Sequence, residues 1–276
     1  MGVITLLTDF GTKDYFSGAM KGAILSVNPQ ANVVDITHEI PSHDVRSAAF
    51  TLANYYKNFP PATIHVCVVD PGVGSERRAV LLEAGDYFFL APDNGLLSFV
   101  FDEFENRENA PLPPRVLPPR RFRVFELKNE KYFAANVSRT FHGRDVFAPV
   151  AAHLSNGVEP EEFGAEIDDF IRFETPKPRK ISAVETEAEI IHIDCFGNLI
   201  TNLKTEDLPA KFVLEVNGTR VEKHRKFYAE AGKSEIFSIS GSAGFLEVAA
   251  FRDSAESLLQ AEVGAKVSLR NLKAEN

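Results

Sequence analysis

Val68-Val69-Asp70-Pro71-Gly72-Val73-Gly74-Ser75-Glu76-Arg77-Arg78 places a carboxylate at the end of an apolar run, with glycines behind it and a basic pair beyond. Thr63 to Val69 reads as a buried strand, so Asp70 falls where that strand opens into a turn. In open α/β sheets the ligand crevice lies outside the carboxyl ends of the strands, and glycines there let backbone N–H groups come close to a ligand. The segment is not a phosphate loop, because no Lys-Ser or Lys-Thr follows the glycines at the required spacing. Five further clusters carry polar chemistry: Thr8 to Asp14, Thr37 to Asp44, Ala91 to Gly95, Thr140 to Asp145 and Asp194 to Asn198. An Asp, an Arg and a His converging on one water could orient it, shift its proton and hold its oxygen in line for attack. No serine or cysteine stands in an elbow motif to serve as nucleophile.

Each cluster also has a purely structural reading. Asp9 or Asp14 could cap the first helix, Ser42 or Asp44 the second, and Asp145 the last of the N-terminal region. Arg77 and Arg78 could be a solvated strand start, His142 a turn residue, and Asp194 to Asn198 a tight turn with Phe196 in the core. Singly, these readings win. Jointly they are harder to sustain, because a doubly wound sheet gathers its strand ends on one edge and would bring Asp9, Asp70 and His142 together.

The elements that would position these residues alternate in the first part of the chain. Val3 to Leu7, Val33 to Ile36, Ala79 to Leu82 and Tyr87 to Leu90 read as strands. Asp14 to Val27, Asp44 to Tyr56, Leu96 to Phe104 and Asp145 to Leu154 read as helices, the first ending at Asn28-Pro29. The pattern predicts an α/β domain with a mostly parallel sheet flanked by helices. Asn106 to Arg123, rich in Pro and Arg, reads as an exposed loop. Glu174 to Lys180 holds two prolines among charges and reads as a linker, which places an N-terminal α/β domain at 1–173, a linker at 174–182 and a C-terminal domain at 183–276. Beyond the linker, short alternating runs (Glu189 to Ile193, Leu199 to Leu203, Phe212 to Val216, Arg220 to Lys223, Ile236 to Ile239, Phe245 to Ala249) predict a smaller all-β, barrel-like domain. Asn217-Gly218 is a two-residue hairpin signal between two of them.

Composition removes several classes of partner. A formal net charge of -9 argues against a nucleic-acid backbone or an anionic membrane. No uninterrupted apolar run approaches the ~20 residues that a membrane helix needs, and the N-terminus lacks a signal-peptide pattern. The two cysteines, Cys67 and Cys195, cannot make a structural zinc site by themselves and read as buried free thiols of a cytoplasmic protein.

LLTDFGTKDYFSGAMKG, VVDPGVGSERR, APDNGLL, RTFHGRDVFAPVAA and IDCFGNLITNL, in this order from Ile4 to Ala250, resemble the S-adenosyl-L-methionine (SAM) hydroxide adenosyltransferase family, related to the fluorinating and chlorinating enzymes that use the same substrate. The resemblance implies attack of water or hydroxide on the ribose C5′ of SAM, giving adenosine and L-methionine without metal or cofactor. It implies an α/β domain followed by a β-barrel-like domain, in a homotrimer whose sites lie between the N-terminal domain of one subunit and the C-terminal domain of the next. The hydrolytic triad falls on Asp70, Arg77 and His142, with Arg78 one residue away as the competing arginine. By the same correspondence Asp9 holds the ribose diol, Asp14 and Asp194 meet the methionine ammonium, and Ser242 meets its carboxylate. Phe196 and Tyr228 pack on the adenine, Asn198 reads its edge, and His43 lines the ribose.

Three other readings compete with hydrolysis. The halogenating relatives lack this triad and dehydrate a halide instead; an added loop in their N-terminal domain is the feature that 106–123 could match. A metal-dependent hydrolase could draw ligands from Asp9, Asp14, His38, His43, Asp93 and His142, although no two of these form a helix-borne metal motif. A SAM- or adenosine-binding protein without turnover is the third.

Overall fold

The computed structural model describes residues 2–106 and 122–272, and the chain divides between Thr175 and Pro176 into two compact units. In the first, strand β1 (Val3–Thr8) is buried from Ile4 onward and sends alternate side chains to opposite faces. Ile4 and Leu6 join one core cluster with Met20, Ile24 and Phe147, whereas Leu7 joins a second with Leu52, Val69 and Phe101. Helices α1 (Phe16–Val27) and α4 (Ala148–Ser155) therefore cover one face of the sheet, and α2 (Val45–Tyr55) and α3 (Ser98–Asn106) the other. A sheet buried on both faces needs near-continuous apolar strands, which Ile4–Leu7 and Ile64–Val69 supply.

The strand order is β2-β1-β3-β5-β4-β6-β7, with β2 at Asn32–Thr37, β3 at Ile64–Val68, β4 at Ala79–Ala84, β5 at Tyr87–Pro92, β6 at Phe122–Glu126 and β7 at Glu166–Ile167. Pairs among β2, β1, β3 and β5 are parallel, and those from β5 outward through β4, β6 and β7 are antiparallel. The sheet is thus mixed. The antiparallel half begins where β4 and β5 are joined across Gly85-Asp86 with Gly85 at φ 56°, a connection too short for a parallel crossover.

Helix α1 begins at Phe16 rather than Asp14, and no side chain caps it, so neither Asp9 nor Asp14 plays the capping role open to it. Asp44 does cap α2, accepting from the Ser47 N–H at 2.9 Å. Phe122 and Arg123, read as the end of a loop, open β6 instead; the remainder of that Pro-rich stretch, 107–121, lies outside the described residues.

The second unit is a nine-stranded sheet curled as a half-barrel. A two-residue strand β8 (Arg179–Lys180) pairs with β9 (Glu185–Ile193), followed by β10 (Leu199–Lys204), β11 (Phe212–Val216), β12 (Thr219–Val221), β13 (His224–Arg225), β14 (Ile236–Ser240), β15 (Phe245–Ala250) and β16 (Lys266–Asn271). The order is β12-β11-β16-β9-β10-β15-β14-β13, and β13–β14 is its only parallel pair among the described residues. Asn217 and Gly218, at φ 49° and 77°, form the tight turn between β11 and β12. Its core runs through Ile190, Leu199, Leu214, Val248 and Val267.

Candidate functional site

Asp70 follows β3 by two residues, and the chain turns at once: Val73 N–H bonds the Asp70 carbonyl at 3.2 Å and Ser75 N–H the Gly72 carbonyl at 3.1 Å. Gly74 sits at φ 79°, where a Cβ would stand 2.1 Å from the Arg139 carbonyl oxygen. Only glycine satisfies both conditions, and the close approach presses the Asp70 turn against the stretch that leads to His142. That contact is with protein backbone.

The turn returns Arg77 to Asp70. Arg77 Nε stands 2.9 Å from both Asp70 oxygens, and Nη2 also donates to Asp70 Oδ2. Both side chains are almost wholly buried, at 9% and 4% exposed, so the charges compensate one another away from water. Nη2 reaches on to His142 Nδ1 at 2.9 Å, making one continuous Asp70–Arg77–His142 network. Burial and the Arg77 charge push the His142 pKa below its ordinary 6.5, against weaker opposing pulls from Asp70 and Asp145. Arg78 points the other way, bonding Asp93 at 2.7 Å and Asp169 at 2.5 Å, so the arginine facing the histidine is Arg77.

His142 enters from a single π-helical turn, Gly143–Phe147, that precedes α4. Asp145 within it is 1% exposed and accepts from Ser138 N–H at 2.8 Å and from Arg144 Nε at 2.6 Å. It is a brace for 138–142, not the helix cap that its position suggested. Burial pushes its carboxyl up, and the Arg144 and Ser138 bonds outweigh that and leave it lowered. Gly143 leaves room for the Met20 sulfur and the Phe10 ring, which a Cβ there would meet at 3.2 and 3.3 Å.

A cavity of about 270 Å³ opens in front of this network, with Asp9, His43, Asp70, Val73, Phe141 and His142 in its wall. Asp9 is oriented by the backbone of His43, whose N–H donates to Oδ2 at 2.9 Å while its own φ is 66°, a rare value outside glycine. Asp14 is exposed in the turn before α1 and is not part of that wall. Phe10 and Thr140 are; both fall within clusters read from sequence, which gave neither a role of its own.

The second unit gathers the rest. Asp194 Oδ1 accepts from the N–H groups of Phe196 and Asn198, each at 2.9 Å, and Oδ2 accepts from Asn198 Nδ2 at 2.8 Å. Its carboxylate organises the turn and takes one of the two Asn198 side-chain amide hydrogens, leaving the other and Oδ1 outside that bond. Phe196 is held outward, 74% exposed, rather than in the core. Cys195 beside it is exposed, contrary to the buried thiol read from sequence, because it lies in this turn and not in a strand; Cys67 is buried. The Tyr228 hydroxyl donates to Glu247 Oε2 at 3.1 Å. Burial, then Glu247, pushes the phenol up to about 12. Glu247 itself is 8% exposed and raised by burial, with Tyr228 opposing and Asp194 adding to the rise. Sequence reading missed it: in Phe245-Leu246-Glu247-Val248 it looks like an ordinary outward residue of an alternating strand. Ser242 is exposed in the turn between β14 and β15.

Among the described residues no three His, Cys, Asp or Glu side chains converge as a metal site. Of the candidate ligands, Asp93 pairs with Arg78, and His38 with Thr8 and Asp35.

The pattern of the SAM hydroxide adenosyltransferase N-terminal domain matches residues 4–164, and that of the C-terminal domain matches residues 188–268. The chain belongs to this family. Among SAM hydroxide adenosyltransferase relatives, a protein of Methanocaldococcus jannaschii named (R)-S-adenosyl-L-methionine hydrolase is 34% identical, covering 95% of this chain and 93% of its own. One of the same name from Thermus thermophilus is 36% identical over 98% and 100%. A fluorinase of Actinoplanes is more distant, at 29% over 75% and 73%. An uncharacterised conserved protein of Thermotoga maritima has the same fold, with a TM-score of 0.85 and 32% identity over 98% of this chain and all of its own. Among the described residues, no helix is long and apolar enough to cross a membrane.

Proposed function

We propose that the protein hydrolyses SAM at the ribose C5′, giving adenosine and L-methionine. The observation that carries this reading is the Asp70–Arg77–His142 network on the wall of a cavity that also presents Asp9. A guanidinium only donates hydrogen bonds, so His142 Nδ1 accepts from Arg77 and its ring proton resides on Nε2. His142 then offers an N–H to a water oxygen and orients it. Asp70 keeps lone pairs beyond those that Arg77 fills and takes the water proton as the oxygen attacks C5′. The C5′–S bond breaks as the C5′–O bond forms, and methionine leaves as a neutral thioether. A neutral leaving group needs no acid and no Lewis acid, so the chemistry reduces to an aligned, partly desolvated nucleophile, and we assign no metal or cofactor. Asp9 supplies two acceptor oxygens for the ribose diol, with His43 beside it.

The relatives' names specify the (R) sulfonium epimer, which we take as the substrate to be compared with the (S) form. In this reading Asp14 and Asp194 meet the ammonium, Ser242 the carboxylate, and Phe196, Tyr228 and Asn198 the adenine. The exposure of Phe196 and Tyr228, 74% and 42%, supports an oligomer in which a neighbouring subunit covers them, and we take that oligomer to be a homotrimer. A cytoplasmic location accords with an exposed free thiol at Cys195.

Incubation of the pure protein with each SAM epimer in ¹⁸O-labelled water tests the reaction directly. Adenosine labelled at the 5′ oxygen is the expected product, unaffected by a chelator. No adenosine, or 5′-chloroadenosine on addition of chloride, overturns hydrolysis. Light scattering reads the oligomer.

A further inference from the structure

We propose that His38 is a positioning residue for Asp9, anchoring both sides of the turn that carries this carboxylate. The proposal rests on the reading of Asp9 as the ribose ligand. His38 is 5% exposed and lies behind the cavity wall rather than in it. Its Nδ1 stands 2.8 Å from Thr8 Oγ1, and the same oxygen accepts from the Phe10 N–H at 3.3 Å. Its carbonyl accepts from the Gly11 N–H at 2.7 Å. Asp9 sits between Thr8 and Phe10, so the backbone on either side of it is tied to one histidine. Behind the ring, Nε2 stands 3.1 Å from Asp35 Oδ1, off the line of an ideal hydrogen bond, and Lys21 Nζ meets Asp35 at 2.5 Å.

The donors run in one direction. With the ring proton on Nε2 toward the Asp35 carboxylate, Nδ1 must accept, so Thr8 gives its hydroxyl hydrogen to the ring and turns its lone pairs toward Phe10 N–H. Thr8 is fully buried at the end of β1, so its hydroxyl has no water to replace that partner. Loss of the ring nitrogen releases Thr8, and loss of the Thr8 hydroxyl releases Phe10; either lets the Asp9 carboxylate drift from the diol.

Thr8→Val keeps the branched shape of a buried strand residue and removes only the hydroxyl, His38→Leu removes the ring nitrogens, and His38→Asn retains a polar atom near the Nδ1 position. Steady-state kinetics with SAM and with its 2′-deoxy analogue distinguish positioning from folding. The expected result is a KM for SAM raised about tenfold in Thr8→Val and His38→Leu, with kcat changed by less than about threefold, as loss of one hydrogen bond implies. The preference for SAM over the 2′-deoxy analogue shrinks by a similar factor, and His38→Asn restores most of both. An undiminished preference in folded Thr8→Val overturns the proposal, as does an equal loss on both substrates. Thr8→Val remains decisive if His38→Leu does not fold. A wild-type protein that makes no distinction between the two substrates overturns the reading of Asp9 instead.

Discussion

Arg77 Nη2 lies 2.9 Å from His142 Nδ1, and this contact decides which imidazole nitrogen can act. Protonation of His142 would set N–H against N–H, so the network needs the neutral ring. Burial and the Arg77 charge hold its pKa below 6.5, keeping the ring neutral over a wider range than an ordinary histidine. The kcat/KM profile should therefore stay level as pH falls through 6.5 and decline only below it. Removing the cation in Arg77→Ala should raise the His142 pKa, detectable by NMR titration of the ring. The same sign applies to folding: the unfolded chain binds this proton more readily, so His142 contributes a loss of stability that begins as pH falls through 6.5 and levels off below the folded value.

Arg77→Lys preserves the charge and loses the fork. A lysine ammonium cannot hold both Asp70 oxygens and reach His142 in one plane, so the tautomer is no longer imposed. Turnover should fall by roughly two orders of magnitude, with KM changed far less; Asp70→Ala and His142→Ala should show the same split. Arg78→Lys, by contrast, alters a pair with Asp93 and Asp169 and should lower the melting temperature more than kcat. Near-normal turnover in Asp70→Ala would remove the proposed base.

The difference between the two arginines shows where sequence reading stops. Adjacent residues entering a strand point to opposite faces, so Arg77 and Arg78 have different partners, but which faces the histidine depends on how the Asp70 turn closes. Strands Val3–Thr8 and Ile64–Val68 were legible because burial on both faces demands continuous apolar runs. The mixed character of the sheet was legible in principle from Gly85-Asp86, a hairpin-sized gap. Strand β6 was hidden because its Phe-Arg-Val-Phe-Glu alternation directly follows a Pro-rich stretch. Asp145 reads from sequence as a helix cap, and Glu247 draws no attention at all, for a common reason: a carboxylate at a helix start or in an alternating strand has a solvent-facing explanation, and only tertiary contacts bury these two.

Gly74→Ala should uncouple site geometry from global folding. The substitution forces a side chain into a φ of 79° and against the Arg139 carbonyl. The backbone cost alone is about 1 kcal/mol, and the clash must be relieved by moving the Asp70 turn away from 138–142. Thermal unfolding should fall by several degrees, about what 1–2 kcal/mol gives, while kcat falls more than tenfold because His142 and Arg77 separate. Gly157→Ala is the control: it too has positive φ, at 88°, but its Cβ would meet open space.

Tyr228 and Glu247 form a side-chain pair in the second unit whose removal can be tested as a unit. Glu247 is a buried carboxylate whose pKa is raised by burial first, and the Tyr228 hydroxyl at 3.1 Å opposes that rise. Tyr228→Phe should push the Glu247 pKa higher still, because it takes away a donor and leaves the carboxylate desolvated, at a cost of about 1–3 kcal/mol near neutral pH. Glu247→Gln keeps an acceptor for the phenol and removes the charge, so it should be milder, and it should lower the Tyr228 pKa from about 12, since Glu247 is one of its causes. Combining the two changes should cost less than their sum, with a coupling of about 1 kcal/mol in denaturant unfolding of the variants. If Tyr228 also packs on adenine, Tyr228→Phe should leave KM for SAM within about threefold, since the ring is retained, whereas Tyr228→Ala should raise it more than tenfold. Strict additivity of the stability changes would mean that the hydroxyl and the carboxylate do not support one another in solution.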